Sequence, residues 1–152
     1  MNKKQLFNKL EHAWVEFKGS YAGLSDSRIT EPGVIGNWSV KDILAHVTTW
    51  EEEALKYLPL ILEGGTLPRY RDLYGGMDAF NAKMIEQKRV YSLAYILEQL
   101  EKVHQRLINY LNSVPEEQFL HETRFRHRLR IDTYSHYPQH AYAIRAWRDF
   151  SS

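Results

Sequence analysis

The stretch Trp38-Ser-Val-Lys-Asp-Ile-Leu-Ala-His-Val-Thr-Thr-Trp50 carries the clearest helix signal in the chain. Ser39 followed three residues later by Asp42 resembles a capping box, in which each side chain bonds the backbone N–H of the other residue. The apolar residues that follow recur every three or four positions, as they do on one face of a helix. They are Ile43, Val47, Trp50, Ala54, Leu58 and Ile61. We therefore predict a long amphipathic helix that is kinked near Pro59 and closed by Gly64-Gly65.

Apolar stripes with helical spacing also cover residues 6–24, 93–111 and 143–147. The third long helix has a start signal at Ser92, directly before its stripe. Ser135 is the predicted N-cap of the last helix, because it leaves Pro138 in the first turn, where proline is tolerated. These stripes predict three more long helices beside the first.

Long connections separate the four predicted helices. Residues 25–38 and 66–78 contain the Pro and Gly residues that are typical of loops, and residues 121–133 form a third connection. A short helix is expected over about residues 78–90. No segment indicates a strand of a sheet, and no internal repeat is visible. The predicted fold class is therefore all-α, a four-helix bundle with long connecting loops.

The composition limits the function more than it identifies it. At 152 residues the chain has the size of one domain, which we place over residues 1–152. A net charge of +1 argues against nucleic-acid or anionic-membrane binding as the main role. The absence of cysteine excludes disulfides, thiolate zinc sites and cysteine nucleophiles. No apolar run approaches the about 20 residues of a membrane span, and no secretory signal is recognisable, so we expect a cytoplasmic location.

Three of the histidines are predicted to face a common site. His136 and His140 are four residues apart, so a helix turns both rings to one side. His46 lies at the flank of the apolar stripe of its own helix. Three neutral imidazoles that leave coordination positions open are typical of a catalytic metal site, so we predict a divalent-metal site here. The alternative is that they are core histidines bonded to Tyr, Glu or backbone carbonyls, as we expect for His104.

Neighbouring residues are predicted to complete this site. Only one carboxylate of the run Glu51-Glu52-Glu53 can face it, because consecutive residues of a helix point in different directions. Glu53 shares a helix face with His46 and is therefore preferred. The predicted catalytic residues are Glu53, Tyr57 and Tyr134, and the predicted walls of the substrate pocket are Trp50 and Trp147.

The segment Arg124-Phe-Arg-His-Arg-Leu-Arg130 places an arginine at every second position. That alternation suits an extended segment with its arginines on one side. Such a segment could clamp an anion or face DNA. It could equally be a loop that its apolar residues hold across one end of the bundle, with solvated arginines. We favour the loop, because the rest of the sequence supplies no matching basic surface.

Three stretches of the chain resemble the DinB-like four-helix bundles and, among these, the ClbS/DfsB family. They are Asn37 to Glu51, Phe80 to His104, and Thr133 to Trp147. The resemblance implies an up-up-down-down bundle that is often dimeric. It also implies a divalent ion, for which zinc, nickel and iron are equally suitable, held by three histidines.

The resemblance matches the three ligands to His46, His136 and His140. Enzymes of the superfamily include thiol-dependent S-transferases and isomerases. The ClbS/DfsB branch includes proteins that protect the cell from a genotoxin by opening its cyclopropane, and these members need not keep the three histidines. Membership of the branch therefore does not imply a bound metal, whereas the three histidines of this sequence do.

Three functions stay open at this point. The first is a metal-dependent hydrolase or S-transferase that acts on a small electrophilic metabolite. The second is a metal-free protective protein of the ClbS/DfsB type, which binds or hydrolyses a reactive small molecule. The third is a non-catalytic binding module. The expected partners are a small-molecule substrate and a second copy of the chain, and neither nucleic acid nor a membrane is expected.

Overall fold

The computed structural model describes residues 1–151 and contains nine helices within them. In chain order they are α1 (Lys3–Tyr21), α2 (Asp26–Ile29), α3 (Val40–Leu62), α4 (Tyr70–Tyr74), α5 (Met77–Lys88), α6 (Leu93–Asn112), α7 (Glu117–Leu120), α8 (Arg124–Asp132) and α9 (His136–Ser151). The four long helices α1, α3, α6 and α9 form the bundle, and no strand occurs in the described residues. The predicted all-α four-helix bundle with long connections is confirmed.

The predicted helix starts are found where local side chains bond the backbone. Ser39 Oγ accepts a hydrogen bond from the Asp42 backbone N–H at 3.1 Å, and Asp42 Oδ2 accepts one from the Ser39 N–H at 3.0 Å. Ser92 caps α6 in a similar way, because its Oγ accepts a bond from the Tyr95 N–H at 3.1 Å. Helix α9 begins directly after Ser135, so Pro138 lies in the first turn as predicted.

Helix α3 occupies the centre of the molecule. Every residue from Asp42 to Glu51 is buried, and α3 packs against α5, α6, α8 and α9. Polar residues on this part of α3 therefore face other helices rather than solvent, which places His46 and Glu51 inside the bundle. None of the described helices is long and apolar enough to cross a membrane.

Contacts along the helices establish their relative directions. Lys3, at the start of α1, bonds the Asn112 carbonyl at the end of α6, and Lys18 pairs with Glu101, so α1 and α6 are antiparallel. Helix α9 instead runs parallel to α1. Lys9 lies over the Tyr134 ring that precedes α9, whereas Arg148 near its end bonds the Ser20 carbonyl near the end of α1.

Helices α3 and α6 are also parallel. Thr48 and Ile96 line the same small cavity, and further along both helices Glu51 bonds His104. The four long helices thus run up, down, down, up along the chain, and the expected up-up-down-down order needs correction. A parallel pair requires a connection as long as the helix itself, and residues 63–92 supply it, with α5 packed along α3.

The arginine-rich segment is helical, so the prediction of an extended segment or loop was wrong. Thr123 caps α8 by accepting a hydrogen bond from the Arg126 N–H at 3.0 Å. Phe125 and Leu129 are 1% and 0% exposed, whereas Ile131 is 43% exposed. A strand would bury all three on one face, but a helix buries only the pair four residues apart. Because α8 packs against α3, its arginines do not all lie on one solvent-exposed side, as the prediction required.

Candidate metal centre

Three histidine rings from two helices converge at one point. His46 Nε2 on α3 lies 3.0 Å from His136 Nε2 on α9, and His140 Nε2 lies 2.9 Å from the same atom. One nitrogen of each ring lies within 4.8 Å of those of the other two. The three predicted ligands therefore come together in space, in a group that could hold one metal ion.

Hydrogen bonding among the rings cannot satisfy this arrangement. A neutral imidazole nitrogen either donates one proton or accepts with one lone pair. His136 Nε2 has two such nitrogens within 3.0 Å, so its single proton or single lone pair cannot make a well-directed hydrogen bond to both, and the two contacts are in conflict. A cation that takes a lone pair from each ring removes this conflict, and ring nitrogens this close can both lie about 2.1 Å from a common point.

Burial keeps the three rings neutral. It lowers the pKa of His46 to about 2, with a further lowering from His136 and His140 nearby. It also lowers the pKa of His136 to about 3, and that of His140 to about 4. Neutral rings offer the lone pairs that a metal ion binds. His136 Nδ1 and His140 Nδ1 have no hydrogen-bond partner among the described residues, although ligand histidines usually donate that N–H to an oxygen.

The histidines end in a cavity of about 370 Å³ between α3, α5, α8 and α9. Its apolar walls are formed by Ile35, Trp38, Trp50, Met77 and Ile131. Asn81, Asp132 and Gln139 add polar groups, and the Trp50 indole N–H donates to Asn81 Oδ1 at 2.9 Å. The cavity can therefore hold a small molecule against the histidines.

Asp132 is a residue of this cavity that the sequence analysis missed. Its side chain is buried, and Oδ2 accepts a hydrogen bond from Arg128 Nε at 2.6 Å. Burial raises the pKa of Asp132 to about 7, although the Arg128 charge lowers it. A helical reading of residues 124–132 could have found it, because Arg128 and Asp132 would then be a pair at i and i+4.

Glu53 and Tyr57 approach the cavity indirectly. Glu53 Oε1 accepts a hydrogen bond from the Tyr70 hydroxyl at 2.9 Å, and that hydroxyl oxygen accepts one from Arg128 Nη2 at 2.9 Å. The Tyr57 ring lies 5.4 Å from the Arg128 guanidinium. Both residues are therefore linked to the cavity only through Arg128 and its partner Asp132, whereas Trp50 and Asp132 line it directly.

Tyr134 and Trp147 lie elsewhere. Tyr134 precedes α9 and lines a different cavity, together with Lys9 and Pro138. The Trp147 ring lies 4.1 Å from the Arg28 guanidinium. Neither side chain is among the described residues that line the histidine cavity.

Glu51, which the sequence analysis passed over in favour of Glu53, is completely buried. Its Oε2 accepts hydrogen bonds from His104 Nδ1 at 2.6 Å and from the Tyr137 hydroxyl at 2.7 Å. His104 is a core histidine, as expected, since its Nε2 bonds Glu11 and its ring stacks on Trp14. The position of His104 on the apolar stripe of α6 could have indicated Glu51, because a buried imidazole needs a hydrogen-bond partner in the core.

The sequence matches the DinB superfamily over residues 9–147. Among curated proteins, none matches it significantly. The colibactin self-resistance protein ClbS, crystallised in complex with double-stranded DNA, is 13% identical and has a TM-score of 0.80, over 97% of this chain and 96% of ClbS. DfsB, described as a sibling lethal factor precursor, is 13% identical with a TM-score of 0.82, over 99% of this chain and 97% of DfsB.

The likeness to ClbS and DfsB supports the fold, at an identity too low to carry an activity. The match to the superfamily is stronger evidence, because it is a match in sequence over most of the chain. It extends from within α1 into α9 and includes all three converging histidines. The chain belongs to the DinB superfamily.

Proposed function

We propose that this chain is a divalent-metal-dependent enzyme that acts on a small electrophilic molecule by hydrolysis or by thiol addition. The observation that carries the proposal is the convergence of three neutral imidazoles at the end of a cavity that could hold such a molecule. His46, His136 and His140 are the proposed ligands of the ion. Zinc, nickel and iron all suit imidazole ligands.

When bound, a divalent cation lowers the pKa of water or a thiol and polarises an electrophilic centre. In our proposal Asp132 accepts the proton of the attacking water or thiol, whose electron pair forms the bond to the electrophilic carbon. The bond from that carbon to its leaving atom breaks with its electron pair on the leaving atom, which then takes the proton from Asp132. A carboxylate with a pKa near neutrality is suited to this exchange. Arg128 holds the Asp132 carboxylate in place, and Glu53 and Tyr57 act as positioning residues around Arg128.

The metal-free alternative uses the same cavity. Likeness in fold to ClbS, a self-resistance protein, supports it. In that case the chain would bind or hydrolyse a reactive small molecule between Trp38 and Trp50, with Asp132 as the proton acceptor. The two proposals differ in whether the histidines need an ion.

Metal content of the untagged protein tests the proposal. After incubation with zinc, nickel or iron(II) and dialysis, we expect about one ion per chain, because three preformed neutral ligands need no deprotonation. The double variant His136→Ala/His140→Ala should retain none, as mass spectrometry of the metals will show. The matched control is His12→Ala/His121→Ala, which removes two exposed histidines and should bind like the wild type.

Two results would contradict this proposal. Wild-type protein without an ion after all three incubations would eliminate the metal-dependent function, and the metal-free alternative would then lead. An ion retained by His136→Ala/His140→Ala would place the metal at other residues. Consumption of a strained-ring probe such as styrene oxide, measured before and after treatment with a chelator, separates the two alternatives directly.

Binding of duplex DNA is a second candidate function, and it runs against the expectation from the net charge. It is favoured by one observation, the complex of ClbS with double-stranded DNA. The α8 arginines are poorly placed for it, because Arg128 is buried against Asp132 and Arg126 pairs with Glu122. Arg124 and Arg130, less buried than Arg128, are the ones we would test.

Fluorescence anisotropy with a labelled 20-base-pair duplex tests this candidate. If it holds, affinity should fall steeply between about 50 and 200 mM salt, because binding to phosphates releases counterions. Arg124→Ala/Arg130→Ala should weaken binding. It should also reduce the slope of log K against log salt concentration by about one unit for each phosphate-binding arginine that is removed. No binding at 50 mM salt would eliminate DNA as a partner.

A further inference from the structure

A polar cluster in the bundle core receives a residue from each of the four long helices. We call Glu11, Trp14, Glu51, His104 and Tyr137 the core cluster. Glu51 Oε2 of α3 accepts hydrogen bonds from the Tyr137 hydroxyl of α9 at 2.7 Å and from His104 Nδ1 of α6 at 2.6 Å. Helix α1 completes it, since Glu11 Oε1 lies 2.9 Å from His104 Nε2 and the Trp14 ring stacks on His104 at 3.8 Å.

This cluster is joined to the metal centre through the chain itself. Tyr137 follows His136 on α9, and Glu51 lies five residues after His46 on α3. Consecutive residues of a helix point about 100° apart, so α9 turns His136 toward the cavity and Tyr137 toward the core. Helices α3 and α9 therefore meet at two polar contacts, one between histidines and one between Glu51 and Tyr137.

The Glu51–Tyr137 contact discriminates between positions of α9 that apolar packing would tolerate. Burial of apolar surface is non-directional, so it favours many similar packings. A buried carboxylate is different, because losing a hydrogen-bond donor leaves the desolvation of the charged group without compensation. Glu51 Oε1 has no hydrogen-bond partner among the described residues. The two hydrogen bonds to Oε2 must therefore offset the desolvation of this carboxylate by themselves.

A shift of α9 by one turn, about 5.4 Å, would break the bond from Tyr137 and move either His136 or His140 away from His46 in the same movement. Tyr137 cannot follow such a shift easily, since its ring is completely buried against Trp14 and Phe17. Buried polar contacts are known to select one register among several in helical assemblies.

We propose that Glu51 and Tyr137 are positioning residues that set the register of α9 against α3 and thereby hold His136 beside His46. The inference rests on the proposed function only in that the positioned histidines are its metal ligands. It assigns a role to two residues that are neither proposed ligands of the ion nor lining residues of the cavity.

Tyr137→Phe is the direct test, because it removes one hydroxyl and leaves the ring packing. We expect the folded variant to bind Zn²⁺ at least about tenfold more weakly than the wild type, in competition with a chromophoric chelator. The visible spectrum of bound Co²⁺ should change as well, since it reports the ligand geometry. Tyr134→Phe is the matched control: it makes the same change in a buried tyrosine three residues earlier, on a different cavity.

Variants of Glu51 separate positioning from general stability. Glu51→Gln keeps an oxygen that accepts the Tyr137 bond, so it should retain metal affinity within about threefold of the wild type, whereas Glu51→Met should lose it as Tyr137→Phe does. All measurements are made well below the melting temperature of each variant. Lower melting temperatures with unchanged Zn²⁺ affinity and Co²⁺ spectra would reduce the cluster to a structural role and overturn the inference.

Failure of the proposed function is distinguishable from failure of this inference. If the wild type binds no metal, the register is read from the imidazole ¹⁵N chemical shifts of His136 and His140 in the metal-free protein. These shifts should change in Tyr137→Phe and stay the same in Tyr134→Phe. Identical shifts in the wild type and Tyr137→Phe would overturn the inference even without a metal.

Discussion

Arg128→Met is expected to lower the free energy of unfolding by roughly 3–5 kcal/mol at pH 8, because it leaves a buried carboxylate without its charged partner. The Arg128 and Asp132 side chains are 10% and 3% exposed, and 2.6 Å separates Nε from Oδ2. The substitution also removes the donor to the Tyr70 hydroxyl. Methionine fills much of the same space, so the loss measures charge and hydrogen bonding rather than volume. Urea unfolding in the presence of a chelator gives the value.

The pH dependence of this loss identifies its cause. Arg128 lowers the pKa of Asp132 against the effect of burial, so the variant should have an Asp132 pKa higher still. A raised carboxyl pKa means that the folded protein binds the proton first, and its stability falls as pH rises through that pKa. The deficit of Arg128→Met should therefore be smaller at pH 5 than at pH 8. Arg128→Met/Asp132→Asn, which removes the charge as well, should recover most of the loss at pH 8.

Arg126→Met serves as the control. Arg126 is two residues away on the same helix and pairs with Glu122, whose side chain is 53% exposed. This pair contributes about 0–1 kcal/mol, and the hydrogen bond from Arg126 Nη1 to the Phe119 carbonyl about 0.5–1.5 kcal/mol, so this variant should lose clearly less stability than Arg128→Met. An equal loss in both variants, or a loss for Arg128→Met that does not change with pH, would mean that the Arg128–Asp132 pair is not the origin.

The sequence predicted those features that depend on residues close together in the chain. The Ser39–Asp42 capping box needs only three residues of separation, and the spacing of His136 and His140 needs four. Both were found as predicted. His46 was proposed as the third ligand from its place at the flank of its own apolar stripe, and the resemblance to the DinB-like bundles then matched it to a ligand position; the structure brings it beside the other two.

What could not be predicted depends on tertiary contacts. Glu53 was preferred to Glu51 because it shares a helix face with His46, whereas only the positions of His104 on α6 and Tyr137 on α9 make a buried Glu51 tolerable. Alternating arginines suggested an extended segment, yet Thr123 and the burial of α8 against α3 determined a helix. The parallel direction of α3 and α6 follows from a connection whose path the sequence does not reveal.

Acid is expected to destabilise the metal-free wild type relative to a variant without the last two ligand histidines. Burial lowers the pKa of His136 to about 3 and that of His140 to about 4, against an ordinary value of 6.5. Between pH 6 and 5 the unfolded chain therefore binds protons that the folded protein does not, so stability falls as pH falls. Each histidine contributes about 1.2 kcal/mol over this range, slightly less than the limit of about 1.4 kcal/mol per pH unit, because the unfolded histidine is not fully protonated at pH 6.

The contribution of these histidines must be measured as a difference in stability between the wild type and a variant. Other groups change the stability with pH in the opposite direction. Burial raises the pKa of Asp132 and of Glu51, and carboxyls raised in this way stabilise the folded protein as pH falls. Comparing the wild type with His136→Gln/His140→Gln cancels these contributions. We expect the stability of the wild type, relative to the variant, to fall by about 2.4 kcal/mol between pH 6 and 5.

The exposed pair His12 and His121 again supplies the control, and His12→Gln/His121→Gln should follow the pH dependence of the wild type. Parallel curves for the wild type and His136→Gln/His140→Gln would show that the two rings take up protons in the folded protein, and hence that they are solvated. The same result would weaken the metal site, because its affinity near neutral pH depends on rings that are already neutral before the ion arrives. Stability in acid thus tests, without any metal, the property on which metal binding by His46, His136 and His140 depends.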